Sequence, residues 1–143
     1  MHPESIPFVR RSGIRLDGSG RLTLPDAPEL RNHLGTLHAG ALYTLAETTS
    51  GLALWERFPE LRKEALPVLR EGRMKHRRPT VGEVRTETRI DDSGIERFLR
   101  QWERRGAGLV TVEVALIDAD GECCATGAFS WFVGKRSGAV PLQ

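Results

Sequence analysis

The sequence predicts an α+β fold: one curved antiparallel β-sheet wrapped around a long buried helix, with a short extra helix between late strands. Three observations lead there. The run Leu34–Trp55 carries one formal charge, Glu47, with His38 taken as neutral. Its apolar and small residues go nearly all the way round a helix, so that helix is covered on most sides. Strand-like segments lie on both sides of this run: two before it and four after it.

Length and composition set the frame. At 143 residues the chain suits one domain, 1–143, with its core at about 14–133 and loose tails at both ends. Hydrophobic residues are 39% and charged residues 28%, which fits a folded globular chain. Lys plus Arg is 21 and Asp plus Glu is 19, a net charge of only +2. That argues against nucleic acid as the partner and against an acidic tail. Cys123 and Cys124 are neighbours, so no disulfide framework is expected, and a reducing compartment fits. The start, MHPESIPFVRRSG, has no apolar signal-peptide core. No stretch reaches the roughly 18 apolar residues of a membrane span. The expectation is a cytoplasmic protein without a membrane partner.

The elements follow in order. Residues 1–12 read as a poorly tied lead. Ile14 to Leu24 reads as two short strands around the turn Gly18-Ser19-Gly20, and Pro25 to Pro28 breaks the pattern. In the long helix, positions 42, 45, 46, 49, 52 and 53 repeat at helical spacing. Leu66 to Arg77 reads as a strand closed by Pro79. Val84, Thr86, Thr88 and Ile90 alternate with charged residues, as on a strand with one packed face. Ser93 to Glu96 has the Ser-x-x-Glu form of a capping box, and Ile95, Phe98, Leu99 and Trp102 make one helical face. Gly106 suits the stop of that helix. Leu109–Ile117 and Cys123–Val133 read as a hairpin joined by Asp118-Ala119-Asp120-Gly121, and the tail from Gly134 reads as loose.

A lone carboxylate in an apolar helix calls for an explanation. Burying an unpaired charge costs several kcal/mol, so Glu47 either finds partners or takes a raised pKa. A raised pKa is what a general base or acid needs. The loop before the helix, Asn32 to Gly40, brings amide, imidazole and hydroxyl groups next to the unpaired N–H groups of a first helical turn. Such N–H groups suit developing negative charge. His38 and Glu47 lie nine positions apart on one helix, roughly 13 Å by its rise. If both serve one site, they come from different subunits across a two-fold axis. Six strands also cannot hide every face of the helix in a monomer. Both arguments point to a homodimer, with a dimer of dimers left open.

These residues, Asn32-x-x-Gly35-x-x-His38-Ala39-Gly40 followed by Glu47, resemble the motif of hotdog-fold acyl-CoA thioesterases. The likeness is to the phenylacetate-pathway (PaaI-type) and 4-hydroxybenzoyl-CoA groups, in an uncharacterised branch. It implies an acyl-CoA substrate, with coenzyme A as part of that substrate and no separate cofactor. It also implies site roles. Glu47 would be base or nucleophile, and the Ala39 or Gly40 N–H would hold the thioester oxygen. Asn32 would orient water or the thioester, and His38 would position the carbonyl. The first Gly of the family's His-Gly-Gly is Ala39 here, which keeps the N–H but adds a methyl.

Arg73, Lys75, Arg77 and Arg78 form a basic run suited to the phosphates of coenzyme A, or to guarding a strand edge. Lys135 and Arg136 would add to that site if the last strand ended nearby. Tyr43, Leu54, Trp55, Phe129, Trp131 and Phe132 are candidates for pocket walls, and Thr48 and Ser50 lie near Glu47 as structural hydroxyls. The histidines and cysteines lack metal-ligand spacing, so no metal is expected. No Gly-x-Ser-x-Gly elbow occurs. Two other readings stand beside thioester hydrolysis. One is a hotdog acyl- or CoA-binding module without turnover. The other, ranked last, is a dehydratase or hydratase, whose Asp-x-x-x-x-His helix motif is not found.

Overall fold

The computed structural model describes residues 2–136. Its strands are β1 (Arg15–Leu16), β2 (Leu22–Leu24), β3 (Ala65–His76), β4 (Val84–Arg89), β5 (Ala107–Ile117) and β6 (Cys123–Lys135). Its α-helices are α1 (Pro7–Arg11), α2 (Ala39–Arg57) and α3 (Asp92–Arg105). All strands join one sheet in the order β1-β2-β4-β5-β6-β3, and every pairing is antiparallel. From β1 onward the predicted succession of strands and α-helices is the observed one.

Alternation decides which side of the sheet meets the helix. Val110, Val112, Val114 and Leu116 of β5 are buried, as are Phe129, Trp131 and Val133 of β6. On β4 the inward residues Val84 and Thr86 are buried, while Thr88 is exposed. α2 lies in the trough these side chains form and touches β2, β3, β4, β5 and β6. On β3 a bulge between Leu69 and Glu71 inserts Arg70. The extra residue lets Leu69 pair with Trp131 and Gly72 with Phe129, so both stay level with inward-facing partners.

Local chemistry fixes the turns. The Asp17 carboxylate accepts from the Ser19 hydroxyl and from the N–H groups of Ser19 and Arg21, which closes the β1–β2 hairpin. Asp118 does the same for the β5–β6 turn, accepting from the Asp120 and Glu122 N–H groups. Gly121 there takes φ +83°, a conformation that disfavours any side chain. α3 begins earlier than its capping-box pattern suggested. Its cap is Asp91, and the Ser93 hydroxyl donates to the Asp91 carboxylate instead of capping a turn of its own. The helix ends as expected, at Gly106 with φ +64°. Phe98 of α3 meets Phe58, just past α2, with ring centroids 4.9 Å apart.

Two expectations about the ends need correction. The lead is tied down: Pro3–Ser5 form a 3₁₀ turn, α1 follows, and Pro3 and Val9 are buried. Pro3 and Pro7 each open a helical turn, where a fixed φ helps and no N–H is missed. Ile6 and Val9 then pack onto the core. At the other end β6 continues to Lys135, past the predicted end at Val133. The rest of the expected loose tail, residues 137–143, lies outside the described residues.

Candidate active site

Glu47 sits in the third turn of α2, half-buried, on the wall of a cavity of about 310 Å³. α2 contributes Glu47, Thr48, Gly51, Leu52 and Trp55 to this cavity. Leu66 and Pro67 of β3 and Trp131 of β6 form the opposite side, and Pro3 and Ile6 of the N-terminal segment close one flank. Burial pushes the Glu47 carboxyl above the ordinary glutamate range, and a hydrogen bond from Thr48 opposes this in part. That bond is long, 3.4 Å from Thr48 Oγ1 to Glu47 Oε2. No described residue forms an ion pair with Glu47. The carboxylate is therefore held in apolar surroundings without a compensating cation.

The helix is shaped around this group. Ser50 is fully buried and donates to the Glu47 carbonyl at 2.7 Å while accepting from the Trp131 indole N–H at 3.0 Å. It is thus a structural hydroxyl, as the sequence suggested. Gly51 lets the Trp131 ring lie against the helix; a Cβ there would come within 3.3 Å of it. Among the other pocket-wall candidates, Trp55 lines the cavity and Leu54 is buried in the core. Tyr43 packs edge-on against Phe129 at 5.4 Å, and Phe132 lies under the Arg70 guanidinium.

The first turn of α2 shows a division of labour. His38 is the N-cap, and its Nδ1 accepts from the Gly40 N–H at 2.8 Å. Acceptance at Nδ1 leaves the neutral ring's proton on Nε2. The Gly40 N–H is therefore engaged, whereas no described residue accepts from the Ala39 N–H. Asn32 organises its own loop. Its Oδ1 accepts from the Leu34 N–H at 2.9 Å, and its Nδ2 donates to Thr36 Oγ1 at 3.0 Å. These bonds wrap the turn at Gly35, which has φ +74°. His38 caps a helix that runs unbroken past Glu47, so one chain does not bring the two ends of the motif together.

The basic run disperses. Arg73 pairs with Glu71, and Arg78 pairs with the buried Asp118 at 2.6 Å, where it anchors the β5–β6 turn. Arg73 and Lys75 line a trough on the outer sheet face, among Glu87, Arg89 and Glu113. Arg77 is exposed and donates its N–H to the Cys124 carbonyl. Lys135 and Arg136 do not join this group. Lys135 pairs with Ala65, ten residues from Lys75 along β3, or roughly 34 Å at strand rise. Arg136 instead lines the Glu47 cavity together with Arg62. Sequence reasoning missed Arg62, Leu66, Pro67, Pro3 and Ile6 as cavity residues, and no local pattern marks them.

Other chemistry finds little support. Cys124 is buried, and burial pushes its thiol up, away from the reactive thiolate. Among the described residues no cluster of three or more His, Cys, Asp or Glu side chains is placed to hold a metal ion. Among the described residues no helix is long and apolar enough to cross a membrane.

A curled six-stranded antiparallel sheet around one long helix is the hotdog fold, and solved structures of the thioesterase superfamily share it. The chain belongs to the family described as domain of unknown function DUF4442, whose model matches residues 11–133. It is similar to a Pseudomonas aeruginosa protein of unknown function named a probable thioesterase. Identity is 34%, over 94% of this chain and 91% of that one, with a TM-score of 0.78. A Haemophilus influenzae thioesterase has the same fold at 20% identity, covering 92% of this chain and 85% of that one, with a TM-score of 0.72. A Bacillus halodurans protein solved with CoA has it at 24% identity, covering 85% and 72%, with a TM-score of 0.66. No curated protein matches the chain.

Proposed function

We propose that this protein hydrolyses an acyl-CoA thioester to a free acid and coenzyme A, in a homodimer with two equivalent sites. The observation that carries the reading is Glu47: a half-buried carboxylate without a cationic partner among the described residues, in an apolar cavity of ligand size. The 34%-identical relative named a probable thioesterase and the CoA held by a structural neighbour support it.

The reaction follows from the groups available. Glu47, as base, takes a proton from water while the water oxygen bonds to the thioester carbon. Negative charge builds on the carbonyl oxygen, and the free Ala39 N–H of the partner's α2 donates to it. The C–S bond then breaks, and the Glu47 carboxyl returns the proton to the leaving thiolate. Its raised pKa suits both transfers. His38 and Asn32 act one step back: His38 fixes the first turn, and Asn32 the loop that leads to it. Two α2 helices running antiparallel across a two-fold axis set one N-terminal turn beside the other chain's Glu47. The lysine and arginine side chains that bind the CoA phosphates are sought first at Lys75 and Arg77, since Arg78 is committed to Asp118 and Arg73 pairs with Glu71.

The test is thiol release from a panel running from acetyl- to palmitoyl-CoA plus benzoyl- and phenylacetyl-CoA, with wild type and Glu47→Gln side by side. Turnover that falls about 10²- to 10⁴-fold in the variant, with substrate still bound, supports the reading. A folded wild-type dimer that binds these thioesters and turns over none of them makes the protein an acyl-binding module instead.

A further inference from the structure

The cavity does not end in hydrocarbon. Its walls between Glu47 and Trp55 are Gly51, Leu52, Leu66, Pro67 and Trp131, with no amide or hydroxyl partner for a pantetheine arm apart from Thr48. Glu47 and Trp55 are eight residues apart on α2, about 12 Å. Arg62 and Arg136 also line the cavity. Both lie at the C-terminal end of α2: Arg62 belongs to the 3₁₀ turn Pro59–Lys63 that follows it, and Arg136 donates its backbone N–H to the Glu64 carbonyl. The Arg136 side chain is steadied by donation from Nε to the Ala65 carbonyl at 3.3 Å, which leaves its terminal N–H groups free of described partners. Neither arginine forms an ion pair with a described residue; six of the other sixteen arginines of this chain do. Two guanidinium forks beside an apolar channel match a carboxylate, which takes paired N–H donors in the plane of its oxygens.

We propose that Arg62 and Arg136 form a subsite for an anionic group at the far end of the acyl chain, so that the preferred substrates are thioesters of dicarboxylic acids. This rests on the thioesterase reading and names its substrate class. The reacting carbonyl lies at Glu47, the methylene chain runs along Leu52 and Trp55, and the distal carboxylate meets the arginines. Apolar walls favour this direction over the reverse one, in which the polar pantetheine arm would fill the channel and a CoA phosphate would reach the same forks.

The experiment compares hexanoyl-, octanoyl- and decanoyl-CoA with adipoyl-, suberoyl- and sebacoyl-CoA, and repeats the set as N-acetylcysteamine thioesters, which carry no phosphate. Wild type, Arg62→Gln and Arg136→Gln are measured as full-length proteins, with thermal melts to confirm folding. The expected result is a kcat/KM preference for the carboxylate-ended member of each pair. Each substitution should cut that preference roughly 10- to 100-fold, in both the CoA and the N-acetylcysteamine series. Two results overturn the proposal while leaving hydrolysis standing. One is turnover with no preference between the members of a pair. The other is a loss in the arginine variants that falls equally on both members and only in the CoA series, which assigns the arginines to a CoA phosphate. Wild type that hydrolyses no thioester of either series overturns the thioesterase reading itself.

Discussion

The Trp131 indole N–H donates to the Ser50 hydroxyl at 3.0 Å, and Ser50 donates onward to the Glu47 carbonyl at 2.7 Å. A single buried oxygen thus ties β6 to the helix turn that carries the carboxylate. Ser50→Ala removes both bonds and strands the indole donor in a buried site. The expected loss is about 1–3 kcal/mol of stability, read by denaturant unfolding, with a shift in Trp131 fluorescence. An unchanged midpoint would show that the link carries no energy.

Glu47 carries opposite predictions for activity and for stability. Its pKa is raised by burial, and in the proposed reaction the basic form acts. The acid limb of kcat/KM therefore lies above the ordinary glutamate range, with activity falling as pH drops through the raised value. A carboxyl that is harder to ionise when folded adds stability below its unfolded pKa and loses it as pH rises through the folded one. Glu47→Gln should therefore melt higher than wild type at neutral pH, with the gap closing in acid. A variant that melts lower at neutral pH contradicts the burial argument.

The Ala39 N–H can be removed without disturbing the helix. Ala39 is the first residue of α2, and His38 before it has φ −68° and ψ 137°, which a following proline accepts. Ala39→Pro should fold normally and lose about 10²- to 10³-fold in kcat, as expected for one oxyanion donor. Mixing Ala39→Pro chains with Glu47→Ala chains should restore about one working site per heterodimer. Failure to restore activity would argue against a site shared between subunits.

Gly72 is held small by its neighbours. A Cβ there would clash with the Tyr43 hydroxyl and lie 3.0 Å from the Phe129 ring. Gly72→Ala should cost about 1–3 kcal/mol through overpacking. It also displaces Tyr43, one helical turn before Glu47, so KM should rise along with the loss of stability. A variant with wild-type stability would mean that Tyr43 has room to swing away.

Much of the fold was legible because its signals are local. Alternation marked β4, the apolar face from Ile95 to Trp102 marked α3, and aspartate-glycine turns marked the hairpins. The lead was misread because the five residues of α1 are too few to carry a readable period; their order comes from packing on α2. Glu47 stood out as a charge in an apolar run. Arg62 did not, and Arg136 was joined to the wrong group, the basic run, since 74 positions separate the two arginines and only the β3–β6 pairing brings their segments together. The basic run looked like one patch because neighbours in sequence were read as neighbours in role. Asp118, forty positions on, claims Arg78.

Pro3 and Ile6 form one flank of the cavity without belonging to any strand of the sheet. Replacing a residue on β5 or β6 risks the register of the whole sheet. Replacing one in this opening segment disturbs no ladder. On the thioesterase reading, the chamber's selectivity and the strand register are thus partly decoupled: substitution in this segment can reshape the chamber without shifting a strand.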